Sequence, residues 1–287
     1  MKENIIVKKN EFLKFGYTLS LMEQRLLLAC ISQIDSRSCL DMNKQFVVTV
    51  QEIQDLFSLD GCNQMYGHLK IACNRLWGRE IVTRDTKTTT RLRWIWKVVY
   101  NDSEGLIKLN FSPDVIPYLS AISERFTKYK LKDVAEFKCI YSLRIYELFA
   151  QYQSVGFVSY DIDDLRGLLD LNKKYLLYSE FRRNVIEKSV AEINNFSNLT
   201  VNYSEKKIGR KVIALMFHFK TKETIIAKSK STTRGEFTSL NHQQNNGEEI
   251  NNLVEEIAIS RKRFGNAVNQ SNVPSDIVDI LKQQGRW

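Results

Sequence analysis

The stretch from Tyr178 to Phe219, YSEFRRNVIEKSVAEINNFSNLTVNYSEKKIGRKVIALMFHF, constrains this chain more than any other. Its first half carries apolar residues at helical spacing. Its second half reads as two strands joined by a turn bearing Lys206, Lys207, Arg210 and Lys211. On a helical wheel of about 100° per residue, Phe181, Val185, Ile186, Val190, Ile193 and Phe196 cover one half. Arg183, Asn184, Glu187, Lys188, Ala191 and Asn194 cover the other. Arg182 projects toward the apolar side, but from the first turn its long stem can carry the guanidinium outward. Arg matches guanine and Asn matches adenine in bidentate pairing, so the polar half suits base reading, and cations on a hairpin tip suit phosphates.

The same order of elements occurs earlier in the chain. TLSLMEQRLLLACISQID predicts a helix running to about Asp35, with Thr18 and Ser20 as caps. QFVVTV reads as a strand and QEIQDLF as a short helix with Ile53, Leu56 and Phe57 on one side. NQMYGHLKIACNRLWGR then places Met65, Leu69, Ala72 or Cys73 and Leu76 in one stripe, with Lys70, Asn74 and Arg75 facing away. EIVTRD, a basic turn KTTTR that includes Lys87 and Arg91, and LRWIWKVVY form a hairpin whose alternation puts Trp94 and Trp96 on one face. LIKLNF is a further strand, and Ser112-Pro113 opens a helix SPDVIPYLSAI. From Leu131 a second helical region runs through IYSLRIYELFAQYQ, followed by strand FVSYD and short helix IDDLRGLL. Helix, short strand, short helix, amphipathic helix and basic hairpin thus occur twice, which predicts an α+β chain of two tandem winged-helix domains with small antiparallel hairpins.

A length of 287 residues, 43% hydrophobic and 26% charged, accommodates two such domains. The net charge of +9 favours a polyanionic partner, because clustered Lys and Arg displace counterions from phosphates. The five cysteines are odd in number and never spaced C-x-x-C, so neither a disulfide framework nor a zinc ribbon is indicated. There is no G-x-x-x-x-G-K-[ST] loop, His68, His218 and His242 are isolated in sequence, and Asp163-Asp164 reads as a solvated helix start. No tyrosine has the context of a nucleophile. The expectation is therefore a protein without a catalytic centre, metal or cofactor.

TLSLMEQRLLLACISQI, LKIACNRLWGREI, LIKLNFSPDVIPYLS, FTKYKL followed by YSLRIYELFAQY, and EFRRNVIEKSVAEIN with EKKIGRKVIALMFHF together resemble the iteron-binding initiator proteins of theta-replicating plasmids. The resemblance spans about residues 1 to 220. It implies two winged-helix domains that bind tandem origin repeats as a monomer, and dimerisation through the first domain with repression of the protein's own promoter. It also implies origin opening, recruitment of a host initiator and helicase, and a part in plasmid copy number control. The alternative readings are a winged-helix transcriptional regulator and, less favoured, a nicking enzyme for rolling-circle replication. The main reading helix maps onto Ser179 to Asn195, which adds Ser179 to the candidate DNA contacts, and the first domain's helix onto Gly67 to Trp77. Two winged helices on one face of B-DNA enter major grooves one turn apart, so a site of about 20 base pairs follows.

The expected division is a first winged helix over residues 1–125, for DNA contact and dimerisation, and a second over 126–222 as the main reader. Residues 223–287 are a tail, partly disordered: Thr224 to Gly247 is rich in Ser, Thr, Asn and Gln, and EEINNLVEEIAISRKRF is amphipathic. The N-terminus lacks the apolar core of a signal peptide and no apolar run approaches the roughly 20 residues of a membrane span, so a cytoplasmic location without membrane contact is expected.

Overall fold

The computed structural model of the chain describes residues 4–59, 61, 64–84, 87–171 and 173–222. The linker and amphipathic tail expected after residue 222 lie outside the described residues. The chain divides into one unit of Met1–Gln151 with Asp161–Leu199 and a second that joins Tyr152–Tyr160 to the residues from Thr200 onward.

The first unit opens with strand β1 (Ile5–Lys9), alternately buried and half-buried. It pairs antiparallel with β7 (Phe126–Lys130), setting Ile6 opposite Tyr129 and Lys8 opposite Thr127. A single helical turn, α1 (Asn10–Leu13), then drives Phe12 and Leu13 into the core. Phe12 meets the rings of Phe15, Trp94 and Tyr118 at centroid distances of 5.5, 5.4 and 5.4 Å, and Tyr17 lies edge-on to Trp94 at 4.8 Å. At Gly16 a Cβ would stand 3.1 Å from the carbonyl oxygen of Gly167, so only a glycine lets these two backbones approach unshifted.

Helix α2 (Leu21–Ile31) is buried almost all round, and Ser20 begins it with a capping box. The Ser20 N–H donates to the Glu23 carboxylate at 2.7 Å, and the Glu23 N–H donates to Ser20 Oγ at 3.4 Å. Thr18 is not a cap: its hydroxyl donates to the Leu169 carbonyl at 3.2 Å and the Asp170 carboxylate at 3.3 Å. The helix ends at Ile31 rather than Asp35, and tighter turns then carry the chain to Ile34. Ser20→Ala removes one side of the box and is expected to cost about 1 kcal/mol, read as a lower urea midpoint with an unchanged slope.

Strands β2 (Phe46–Thr49), β5 (Ile95–Asn101) and β6 (Leu106–Phe111) form a sheet in the order β2-β6-β5. Its inner face buries Phe46, Val48, Ile107 and Leu109 against helices α3 (Val50–Phe57) and α4 (Met65–Gly78). Strands β3 (Glu80–Arg84) and β4 (Thr89–Arg93) make the first hairpin. The expected single strand LRWIWKVVY is broken at Trp94, because β4 pairs with β3 whereas β5 belongs to the other sheet. A bulge between Ile95 and Lys97 adds a second irregularity. A bulge adds one residue and breaks the alternation of faces, so Trp94 is buried (1% exposed) while Trp96 stands out (43%) and the two do not share a face.

SPDVIPYLSAI also departs from expectation, forming turns and one 3-10 turn, Ile116–Tyr118, in place of an α-helix. Pro117 lacks an N–H and disfavours the α conformation of Ile116 before it, and Ala121 at φ 50° closes the segment. The helical region expected from Leu131 is a 3-10 turn, Leu131–Asp133, followed by helix α5 (Ser142–Gln151). Its Leu143, Tyr146 and Phe149 are buried, and Ala150 is half-buried.

A charged cluster fastens these pieces together. Lys8 of β1 meets Glu147 of α5 at 2.6 Å, Tyr129 of β7 donates to the same carboxylate oxygen at 2.7 Å, and Arg144 meets the other oxygen at 3.2 Å. Arg144 also donates to the Tyr17 hydroxyl (2.8 Å) and to the carbonyls of Leu13 and Phe15 (3.2 and 2.9 Å). Lys8, Arg144 and Glu147 are 3, 4 and 0% exposed.

The second unit holds strands β8 (Phe157–Asp161), β9 (Leu199–Ile208) and β10 (Lys211–Thr221) in the order β8-β10-β9. Ala214, Leu215, Phe217 and Phe219 on β10 and Val201 on β9 are buried. Gly209 at φ 59° occupies the first position of the two-residue turn, where hairpin turns favour a left-handed residue.

Candidate nucleic-acid interface

Helix α6 (Ile162–Leu168) leads to the candidate reading helix through a loop tied down by Arg166, whose guanidinium donates to the carbonyls of Leu171, Lys174 and Tyr175 at 3.3, 2.8 and 2.7 Å. The helix itself starts as α7 (Tyr178–Phe181), continues through a π-helical segment (Arg182–Glu187) and finishes as α8 (Lys188–Phe196). Phe181, Val185, Ile186 and Ile193 are buried, and Arg183, Glu187, Lys188 and Ala191 are exposed, as the wheel predicts. Phe196, placed on the apolar half, is 39% exposed.

The π segment corrects the position of Arg182. In a π turn, residues i and i+5 lie one above the other, and Arg182 Nε meets the Glu187 carboxylate at 3.2 Å with both side chains 46% exposed. Arg182 therefore lies on the outer face instead of the apolar side. Asn184 is half-buried and donates to the Glu180 carbonyl at 3.1 Å. Arg183 and Lys188 have no side-chain partner among the described residues, and Ser179 is exposed. On the opposite side, Glu192 anchors the helix by accepting the backbone N–H groups of Lys138 and Cys139 at 3.0–3.2 Å. The Tyr146 hydroxyl donates to Asn198 Oδ1 at 2.9 Å just beyond its C-terminus.

The hairpin of the second unit presents Lys207, Ile208, Gly209, Arg210 and Lys211 exposed, with Lys206 half-buried. Lys207 pairs with Glu205 at 3.1 Å, while Arg210 and Lys211 have no partner among the described residues.

In the first module α4 buries Met65, Leu69, Ala72, Cys73 and Leu76, the expected stripe. Two of its three candidate contacts are occupied within the molecule. Lys70 bonds the Asp102 carboxylate at 3.0 and 3.3 Å and lies 5.4 and 5.5 Å from the ring centres of Tyr66 and Tyr100. Asn74 accepts the Tyr100 hydroxyl at 2.7 Å. Burial pushes the Tyr100 hydroxyl up to about 12, so it remains a donor. The Tyr66 hydroxyl and the Lys70 ammonium both bond Asp102 and hold its carboxyl below its ordinary value. Arg75 is exposed, as is Lys87 on the turn, and Arg91 pairs with Glu80 at 3.0 Å. Sequence reasoning passed over Lys173 and Lys174, an exposed pair in the Arg166-bound loop; a basic dipeptide just ahead of the helix was the available signal.

A family model described as "Initiator Replication protein, WH1" matches residues 5–150, and one described as "Initiator Rep protein, WH2" matches residues 161–219. The chain belongs to the initiator replication protein family. Both winged helices expected from the repeated order of elements are thereby present. This initiator is 25% identical over 224 residues to a replication initiation protein of Escherichia coli, covering 76% of this chain and 70% of the relative. It is 22% identical over 259 residues to the PI protein of the same organism, covering 76% and 83% respectively. Among solved structures it resembles the Pi initiator protein in complex with iteron DNA, with a TM-score of 0.67 and 23% identity over 78% of this chain and 99% of that one. No helix among the described residues of the initiator is long and apolar enough to cross a membrane.

Proposed function

We propose that this initiator binds tandem direct repeats, iterons, at a plasmid origin and there opens the duplex and admits a host initiator and helicase. The observation that carries the reading is the outer face of the π-containing helix, where Arg183 and Lys188 stand exposed and unpaired among the described residues. Arg183, with Asn184, Glu187 and Lys188, reads base edges in the major groove. Arg182 and Ser179 contact the backbone beside them, and Lys206, Lys207, Arg210 and Lys211 hold phosphates. Arg75 and Lys87 supply the first module's contacts, together with Lys70, Asn74 and Arg91, which also hold partners within the molecule.

Residues 1–125 act as the first DNA-contacting and self-associating domain, residues 126–222 as the main reader, and residues 223–287 as an appended tail. A dimer formed through the first domain represses the initiator's own promoter. Val47 and Val99, 39 and 38% exposed, flank Lys108 across the outer face of the three-stranded sheet, and Trp96 projects nearby on β5, which supplies apolar surface for such contact.

Lys207→Ala and Lys211→Ala are each expected to weaken binding to every duplex and to lower the slope of log K against log salt by about one. Fluorescence anisotropy across a salt series measures both. Incubation with supercoiled origin DNA and Mg²⁺ or Mn²⁺ is expected to give no covalent protein–DNA product; such a product would replace this reading with that of a nicking enzyme.

A further inference from the structure

The hairpin tip carries a residue that phosphate contact does not explain. Ile208 is 68% exposed at the end of β9, beside Gly209 and amid Lys206, Lys207, Arg210 and Lys211. The last fully buried residue before the tip on β10 is Ala214, three positions beyond Lys211. At about 3.4 Å per residue, the tip stands roughly 10 Å clear of the unit's own core. Among the described residues Ile208 thus stays largely exposed, and a β-branched side chain there holds a stiff shape.

We propose that Ile208 is a wedge that enters the minor groove and partly unstacks a base step, bending the bound repeat. The minor groove is about 6 Å wide, too narrow for a two-stranded hairpin but open to a single tip side chain. Flanking cations hold the tip against the phosphates on both walls, and an apolar side chain among them exchanges water for the exposed faces of two bases. Apolar wedges of this kind bend duplexes by about 20–90°. Unstacking one step inside an origin repeat is also a local first step toward strand opening. The inference rests on the DNA-binding reading above.

The test uses the full chain and an end-labelled duplex bearing one direct repeat taken from the DNA beside its gene. Binding is read by anisotropy, with scrambled duplex as competitor, and bending by energy transfer between the ends. The wild type is expected to bend the duplex within about 20–90°. Ile208→Ser should lose more than half of that bend, with affinity falling less than about tenfold since the cations remain. Ile208→Met, still apolar, should keep the bend. A serine variant that bends as the wild type does, or a wild type that binds the repeat without bending it, overturns the wedge while leaving the DNA-binding reading intact. A wild type that does not prefer the repeat over the scrambled duplex overturns both.

Discussion

Glu147→Leu is expected to destabilise the protein by about 3–5 kcal/mol, because it leaves the Lys8 ammonium and the Arg144 guanidinium buried without their shared counter-charge. The same atoms tie β1, the Leu13–Tyr17 segment and β7 to α5. Through Tyr146, α5 in turn holds the end of the reading helix. The variant should therefore lose DNA binding together with its fold, as a lowered melting temperature and urea midpoint. Lys8→Met combined with Glu147→Leu should recover part of the loss, since a buried pair replaced on both sides costs less than a pair broken on one.

The pH dependence has a definite sign. Burial alone would push the Glu147 carboxyl up, but the charges of Lys8 and Arg144 and the hydrogen bonds from Lys8 and Tyr129 outweigh it and hold the carboxyl below its ordinary value of 4.5. A carboxyl depressed in the folded state contributes stability that is fully present above its unfolded pKa and is lost as the pH falls through the folded one. Wild-type stability should thus drop on acidification below about 4.5, and Glu147→Gln, already weaker at neutral pH, should lack that component of the drop. Equal acid dependence in the two proteins would remove Glu147 from the account.

The second large effect is on recognition. Arg183→Ala is expected to cut discrimination between the repeat and scrambled DNA by about 1–3 kcal/mol, while affinity for scrambled DNA falls only by the share of one lost cation. Arg182→Ala should change discrimination less, because its guanidinium already pairs with Glu187. Competition binding with both duplexes measures each variant. A uniform loss on both duplexes for Arg183→Ala would make it a phosphate contact instead of a reader.

What could be read from the chain was whatever local chemistry decides. Ser20 as a cap fixes the start of α2, the stripe from Met65 to Leu76 fixes the inner face of α4, and the basic turn between two β-rich runs fixes the wing. The break at Trp94 was not legible, because which of two sheets a strand joins depends on partners distant in sequence. The turns around Pro117 are legible in the sequence, because a second proline four residues after the Ser-Pro opening denies the segment a continuous α-helix. At the interface, the polar half of the reading helix was visible at ordinary helical periodicity, but the π segment moves Arg182 outward, and no side-chain pattern announces a π turn. Lys70 and Asn74 looked free because Tyr100 and Asp102, which engage them, lie far along the chain.

On the proposed function, the outer face of the π-containing helix discriminates sequence and not charge alone. Purified full-length protein titrated with a tandem direct repeat from beside its gene, and with a scrambled duplex of the same length and composition at physiological salt, tests it most directly. Binding to the repeat is expected to be at least about 10³-fold tighter, with one protein protecting about 20 base pairs. Equal affinity for the two duplexes would contradict it.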